Sequence, residues 1–155
     1  MVQPFGGGGS DLKRIPEEVV RRILVAVDGS KESNKAVRMA ASIAKILGAE
    51  LTLIHVVEMD EFPILIAEAG TKEREEMGQL VLGGSAKIAQ LEGVAPKVVL
   101  RRGHPTDQIL RFARSYKPQL IVTGSRGLTG ARGVLMGSVS MGISRKAKCS
   151  VAIVR

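Results

Sequence analysis

The chain has 155 residues, 45% hydrophobic and 25% charged, a balance that suits one soluble domain with its own core. Its 23 Lys and Arg against 15 Asp and Glu give a formal charge of +8, and the single cysteine, Cys149, excludes an internal disulfide. With three Phe, one Tyr and no Trp, Val, Ile, Leu and Ala must build the core; no apolar run approaches the length of a membrane span.

Residues 1–20 read as an extension. "QPFGGGGSD" has the composition of a flexible linker, and "PEEVVRR" suits a short helical lead-in. The domain is expected over residues 21–155. "RILVAVD", Arg22 to Asp28, is a continuous apolar run of strand length, as for a strand buried on both faces. A helix follows, with Ala36, Ala40, Ile43 and Leu47 at helical spacing and Gly48 as its stop. "LTLIHVVE", Leu51 to Glu58, is a second buried strand. Between Asp60 and Gly93, the positions Met77, Leu80, Val81, Ile88 and Leu91 suggest a helix, which Gly78, Gly83 and Gly84 weaken. "PKVVLRRG" is the third strand. "HPTDQILRFARSYKP" is a helix with Ile109, Phe112, Ala113 and Tyr116 on one face. "QLIVTG" is the fourth strand, Ser138 to Lys148 the last helix and "CSVAIVR" the fifth strand. Such alternation implies a doubly wound α/β domain, a mostly parallel sheet with helices on both faces.

In that architecture ligands bind beyond the carboxyl ends of the strands, where the strand order reverses. Most of the segments there are short. After the fourth strand, however, runs "GSRGLTGARGVLMGSVS", Gly124 to Ser140, with five glycines, two arginines and four hydroxyls. Glycine permits close backbone approach and positive φ, successive N–H groups form an anion nest, and a helix start at Gly137-Ser138 adds unpaired N–H donors. Ser138 and Ser140 add hydroxyls; Arg126 and Arg132 add charge. These features point to a phosphate cradle; the alternative is a surface loop whose glycines only permit its shape. Neither the P-loop pattern nor the dinucleotide fingerprint is present. The charge agrees: Arg101 to Arg155 carry eleven bases and one acid, Asp107, against twelve bases and fourteen acids before them. This suits an anionic partner or merely a solvated surface.

The spacing Gly124-x2-Gly127-x9-Gly137-Ser138, with "ILVAVDGS", "LTLIHVVE", "LIVTGSRG" and "GSVSMGISRKAKCSVAIVR" in order, resembles the ATP-binding subclass of the universal stress protein family. The resemblance implies a single-domain, Rossmann-like fold of the adenine nucleotide alpha hydrolase type, five parallel strands in the order 3-2-1-4-5. It implies that Ala26, Val27 and Asp28 face adenine and ribose and that Val56 meets adenine through its backbone. Gly124, Ser125, Arg126, Gly127, Leu128, Thr129 and Gly130 would wrap ribose and phosphates; Gly137, Ser138, Val139 and Ser140 would hold the outer phosphates. ATP is the implied ligand, with Mg²⁺ riding on its phosphates and Asp28 as an outer ligand. No residue is assigned a catalytic role. Asp28 has a second reading as a helix or turn cap, His55 as a satisfied core residue and Cys149 as inert packing. The implied protein is a regulatory, cytoplasmic homodimer that pairs through Val151 to Val154 and hydrolyses ATP slowly at most. Two competing functions are an ATP-cleaving enzyme, disfavoured because Asp28-Gly29-Ser30-Lys31 replaces that group's signatures, and a nucleic-acid binder, disfavoured by the lack of aromatics for stacking. A nucleotide-independent interaction module is the third.

Overall fold

Parallel strands cannot be joined by tight turns, so each apolar run hands the chain to a helix that carries it back along the sheet. The computed structural model describes residues 19–59, 71–128 and 136–155. Its elements follow as β1 (Arg22–Ala26), α1 (Lys31–Leu47), β2 (Glu50–Val57), α2 (Thr71–Leu91), β3 (Lys97–Arg102), α3 (Pro105–Tyr116), β4 (Leu120–Gly124), α4 (Ser138–Lys146) and β5 (Ser150–Val154). The strands form one parallel sheet in the order β3-β2-β1-β4-β5. This is the doubly wound order expected from the resemblance.

β1 is the central strand, and its residues Ile23, Leu24 and Val25 are wholly buried. Side chains alternate between faces of a strand. Ile23, Val25 and Val27 pack with Val37, Ala40, Ala41 and Ala44 of α1 and Leu82 and Ala89 of α2. Leu24 and Ala26 pack on the other face with Ile54, Ile109 of α3 and Ile143 of α4. The chain first winds outward through β2 and β3, then returns past β1 to β4. The strand order therefore reverses between β1 and β4, and the crevice beyond their carboxyl ends is where a ligand fits.

Local signals explain most boundaries. Ser30 caps α1, its hydroxyl accepting from Ser33 N at 3.1 Å, and Gly48 ends that helix with φ 64°. β1 stops at Ala26 rather than Asp28, because Asp28 turns the chain toward α1. The last helix stops at Lys146, two residues short of the expected Lys148.

The apolar face of α2 differs from expectation. Met77, Leu80 and Leu91 are 61%, 70% and 82% exposed, and the buried residues are Gly78, Leu82, Ser85 and Ala89. The physical reason is close approach. A Cβ at Gly78 would lie 2.9 Å from both His55 Cδ2 and Leu100 Cδ1, so the helix rests directly on the sheet through its small residues. The glycine that weakens the helical pattern is the one the packing requires. Among the described residues, no helix is long and apolar enough to cross a membrane.

Candidate functional site

The carboxyl end of β1 starts the site. Val27 N donates to Ile54 O at 2.9 Å, extending the β1–β2 pairing by one residue. Asp28 then accepts from Ser30 N through Oδ1 at 2.9 Å, an Asx turn that leads into α1. Gly29 between them has φ 83°, which a side chain would strain. The Asp28 amide donates to Ser33 Oγ at 3.2 Å, and Ser33 is buried. Both readings of Asp28 therefore meet in one residue: it caps the turn, and it lines the cleft described below.

β2 supplies Val56 and His55. The His55 ring lies with Nδ1 2.7 Å from Val27 O, so Nδ1 carries the proton and donates to that carbonyl. The backbone thus satisfies one ring nitrogen, while the residue is half-buried and lines the cleft rather than lying in the core.

β4 and its continuation hold the start of α4. Ser125 N donates to Val154 O at 2.7 Å, continuing the β4–β5 pairing. Ser125 O accepts from Gly137 N at 2.7 Å and from Ser140 Oγ at 3.0 Å. One carbonyl thus seats the amino end of α4 beside β4. The Ser140 hydroxyl also lies 3.0 Å from Gly137 O, and the residue is buried. Its single proton is engaged by carbonyls, so Ser140 offers a ligand its backbone N–H and not the hydroxyl donor expected from sequence. No side chain caps α4. Gly137 N and Met141 N are both bonded, and between them the first-turn amides of Ser138, Val139 and Ser140 have no partner among the described residues.

These elements border a cleft of about 800 Å³. Ala26, Val27, Asp28 and Val56 lie on one side of it. Gly124, Arg126, Gly127 and Leu128 lie on another, and Gly137, Ser138, Val139 and Ser140 close the end. Ser125 is buried behind that wall and does not line it. Thr129, Gly130 and Arg132 lie outside the described residues. The floor is apolar, with Ile54 and Ile109 beside Ala26 and Val56. Arg126 reaches Glu32 of α1 at 3.5 Å.

The glycines do a different job from the one their composition suggests. None of Gly124, Gly127 and Gly137 has positive φ. A Cβ at Gly124 would sit 2.8 Å from Ser33 N, against the backbone of α1. At Gly127 it would sit 2.6 Å from Asp28 Oδ2. Both are spacers that let β4 and its exit lie flat on the β1–α1 turn.

Sequence reasoning missed the wall that α2 and α3 contribute: Arg74, Met77, Gly78 and Val81, then Pro105 and Ile109. It considered only residues that follow strands. A usable signal was present in Met77, Gly78 and Val81, whose spacing puts them on one helix face.

The family model described as the universal stress protein family matches residues 20–155. The chain belongs to the universal stress protein family. A universal stress protein of Methanocaldococcus jannaschii is 34% identical over 143 residues, covering 90% of this chain and 84% of its own length. Universal stress protein YxiE of Bacillus subtilis is 32% identical over 145 residues, covering 86% and 98%. Among solved structures, a universal stress protein in complex with cAMP is 26% identical with a TM-score of 0.70, covering 88% of this chain and 98% of its own.

Proposed function

We propose that the cleft binds an adenine nucleotide, ATP with Mg²⁺, and that this universal stress protein acts as a regulatory binder whose occupancy sets its conformation or its partners. The observation that carries the reading is the first turn of α4, whose amides have no partner among the described residues. Ser138, Val139 and Ser140 line the cleft at the strand-order reversal, and a helix amino end favours negative charge. The cleft volume falls within the range of small-molecule sites, and its apolar floor suits a purine. The solved relative with bound cAMP supports an adenine nucleotide as the ligand class.

Arg126 adds positive charge on the cleft wall, shared with Glu32. Mg²⁺ bound with the phosphates would neutralise part of their charge. Asp28 borders the cleft with both carboxylate oxygens held, one by Ser30 N and the other by Leu128 N. The same reading extends to a homodimer through β5, supported by the position of that strand at the sheet edge.

The test is a thermal melt with and without Mg-ATP, on wild type and Ser138→Pro. Proline is tolerated at the first helical position, and Gly137 before it is already extended at φ −75° and ψ 163°. The substitution therefore removes one amide donor and one hydroxyl while leaving the helix in place. Ligand at about a hundred times its dissociation constant stabilises by about 2.7 kcal/mol, or about 5–11 °C for a chain of this size. That shift is expected in wild type and much reduced in Ser138→Pro. No shift in nucleotide-free wild type would overturn the reading.

A further inference from the structure

We infer that Asp28 is a positioning residue, a latch whose carboxylate holds the Gly127–Leu128 backbone against the turn after β1, so that this wall of the cleft is set for the phosphates of a nucleotide; this rests on the nucleotide reading above. Oδ1 accepts from Ser30 N at 2.9 Å, and Oδ2 accepts from Leu128 N at 3.2 Å. One carboxylate thus joins the turn after β1 to the segment after β4, across neighbouring strands of the sheet. The carboxylate is itself fixed from behind, since the Asp28 amide donates to buried Ser33.

Gly127 makes the contact possible. A Cβ there would lie 2.6 Å from Asp28 Oδ2, so only glycine lets the backbone rest on the carboxylate. A second tie runs beside the first, Arg126 to Glu32 at 3.5 Å. Upstream, Ser125 O seats the start of α4. The exit of β4 is therefore pinned at Ser125, at Arg126 and at Leu128.

Electrostatics gives the same assignment. A bare carboxylate beside phosphates repels them. One whose two oxygens each accept a backbone N–H is directed at the protein instead, and charge-assisted bonds of this kind are the stronger ones. Asp28 then serves an anion by shaping the loop rather than by touching it.

Two measurements on the full chain test this. The first needs no nucleotide: amide hydrogen exchange by NMR at Leu128 in wild type and Asp28→Ala. Loss of the bond should speed exchange at Leu128 by about tenfold or more, with the amides of β1 and β4 unchanged as the control for folding. The second is titration with ATP and with adenosine, on wild type, Asp28→Ala and Gly127→Ala. Both variants should lose affinity for ATP by about tenfold or more, and lose clearly less for adenosine, which has no phosphate to place. The double variant should lose less for ATP than the product of the two single losses, because the added methyl no longer meets a carboxylate. Equal exchange at Leu128 in wild type and Asp28→Ala overturns the latch. Equal losses for ATP and adenosine make Asp28 a contact of the nucleoside and overturn its positioning role. If neither ligand binds wild type while Leu128 exchange still responds to Asp28, the nucleotide reading fails, and the role toward phosphate fails with it.

Discussion

Tyr116 ends α3 and closes a polar network at the amino end of the sheet, far from the cleft. Its hydroxyl donates to Glu50 Oε1 at 2.8 Å and accepts from Thr52 Oγ1 at 3.0 Å. Lys97 Nζ holds the other Glu50 oxygen at 2.5 Å. Hydrogen bonds from Lys97 and Tyr116 hold the Glu50 carboxyl below its usual range. Burial, with the hydrogen bond to Glu50 and its charge, pushes the Tyr116 phenol up to about 12. An unfolded tyrosine titrates near pH 10. The fold therefore favours neutral Tyr116, its contribution is complete below about pH 10, and it is lost as the pH climbs toward about 12. Urea midpoints at pH 8 and at pH 11.5 should fall further in wild type than in Tyr116→Phe, which has no phenol to ionise. Equal falls would remove Tyr116 from the alkaline limb. Single residues are also where the sequence was least legible. That Asp28, Gly127 and Ser138 border one cleft could be read from the resemblance. That the Ser140 hydroxyl is turned inward to carbonyls, or that Gly124 and Gly127 are spacers, could not, because each depends on a backbone from another element.

At the scale of elements, helices meet their neighbours through glycines in some places and waste them in others, and the two cases predict opposite signs. Gly142 of α4 faces Thr106 of α3, where a Cβ would lie 2.7 Å from Cγ2. Thr106 is buried and β-branched, so it has little freedom to move aside. Gly142→Ala should destabilise by about 1–3 kcal/mol from overpacking, despite alanine's higher helix propensity. Gly84 of α2 has nothing within 4 Å of the same construction. Gly84→Ala should stabilise by up to about 1 kcal/mol, as propensity alone dictates. Chemical denaturation of both variants checks the pair, and two changes of the same sign would refute the packing account. The contrast also shows why β1, β2 and β4 were legible while the face of α2 was not. A central parallel strand is apolar on both sides and declares itself as a run. A helix that packs through Gly78, Ser85 and Ala89 beside Leu82 leaves Met77, Leu80 and Leu91 outward and departs from the usual pattern.

At the scale of the whole molecule, the strand order leaves two edges, β3 and β5, and they differ in character. β3 carries Lys97, Arg101 and Arg102, and such charges discourage pairing with another chain. β5 presents Val151, Ala152, Ile153 and Val154, all only partly buried. The alternation of a strand settles which backbone groups are open. Val154 O accepts from Ser125 N at 2.7 Å, so Val154 faces β4 and the N–H and C=O of Ile153 face away from it. A second copy that extends the sheet here would use the Ile153 amide. Proline at 153 removes that amide and none that pairs with β4, the setting in which an edge strand tolerates proline. Sedimentation of wild type should give a dimer mass and Ile153→Pro a monomer mass, with the monomer keeping its circular dichroism. A dimer that survives the substitution would move the interface elsewhere, and a monomeric wild type would remove it. Because β5 pairs with β4 and Val154 bonds to Ser125, a partner docked on β5 would sit one strand away from the carbonyl that seats α4. Dimer mass should then rise in the presence of Mg-ATP at protein concentrations near the dissociation midpoint, and Ser138→Pro should blunt that rise without changing the nucleotide-free dimer.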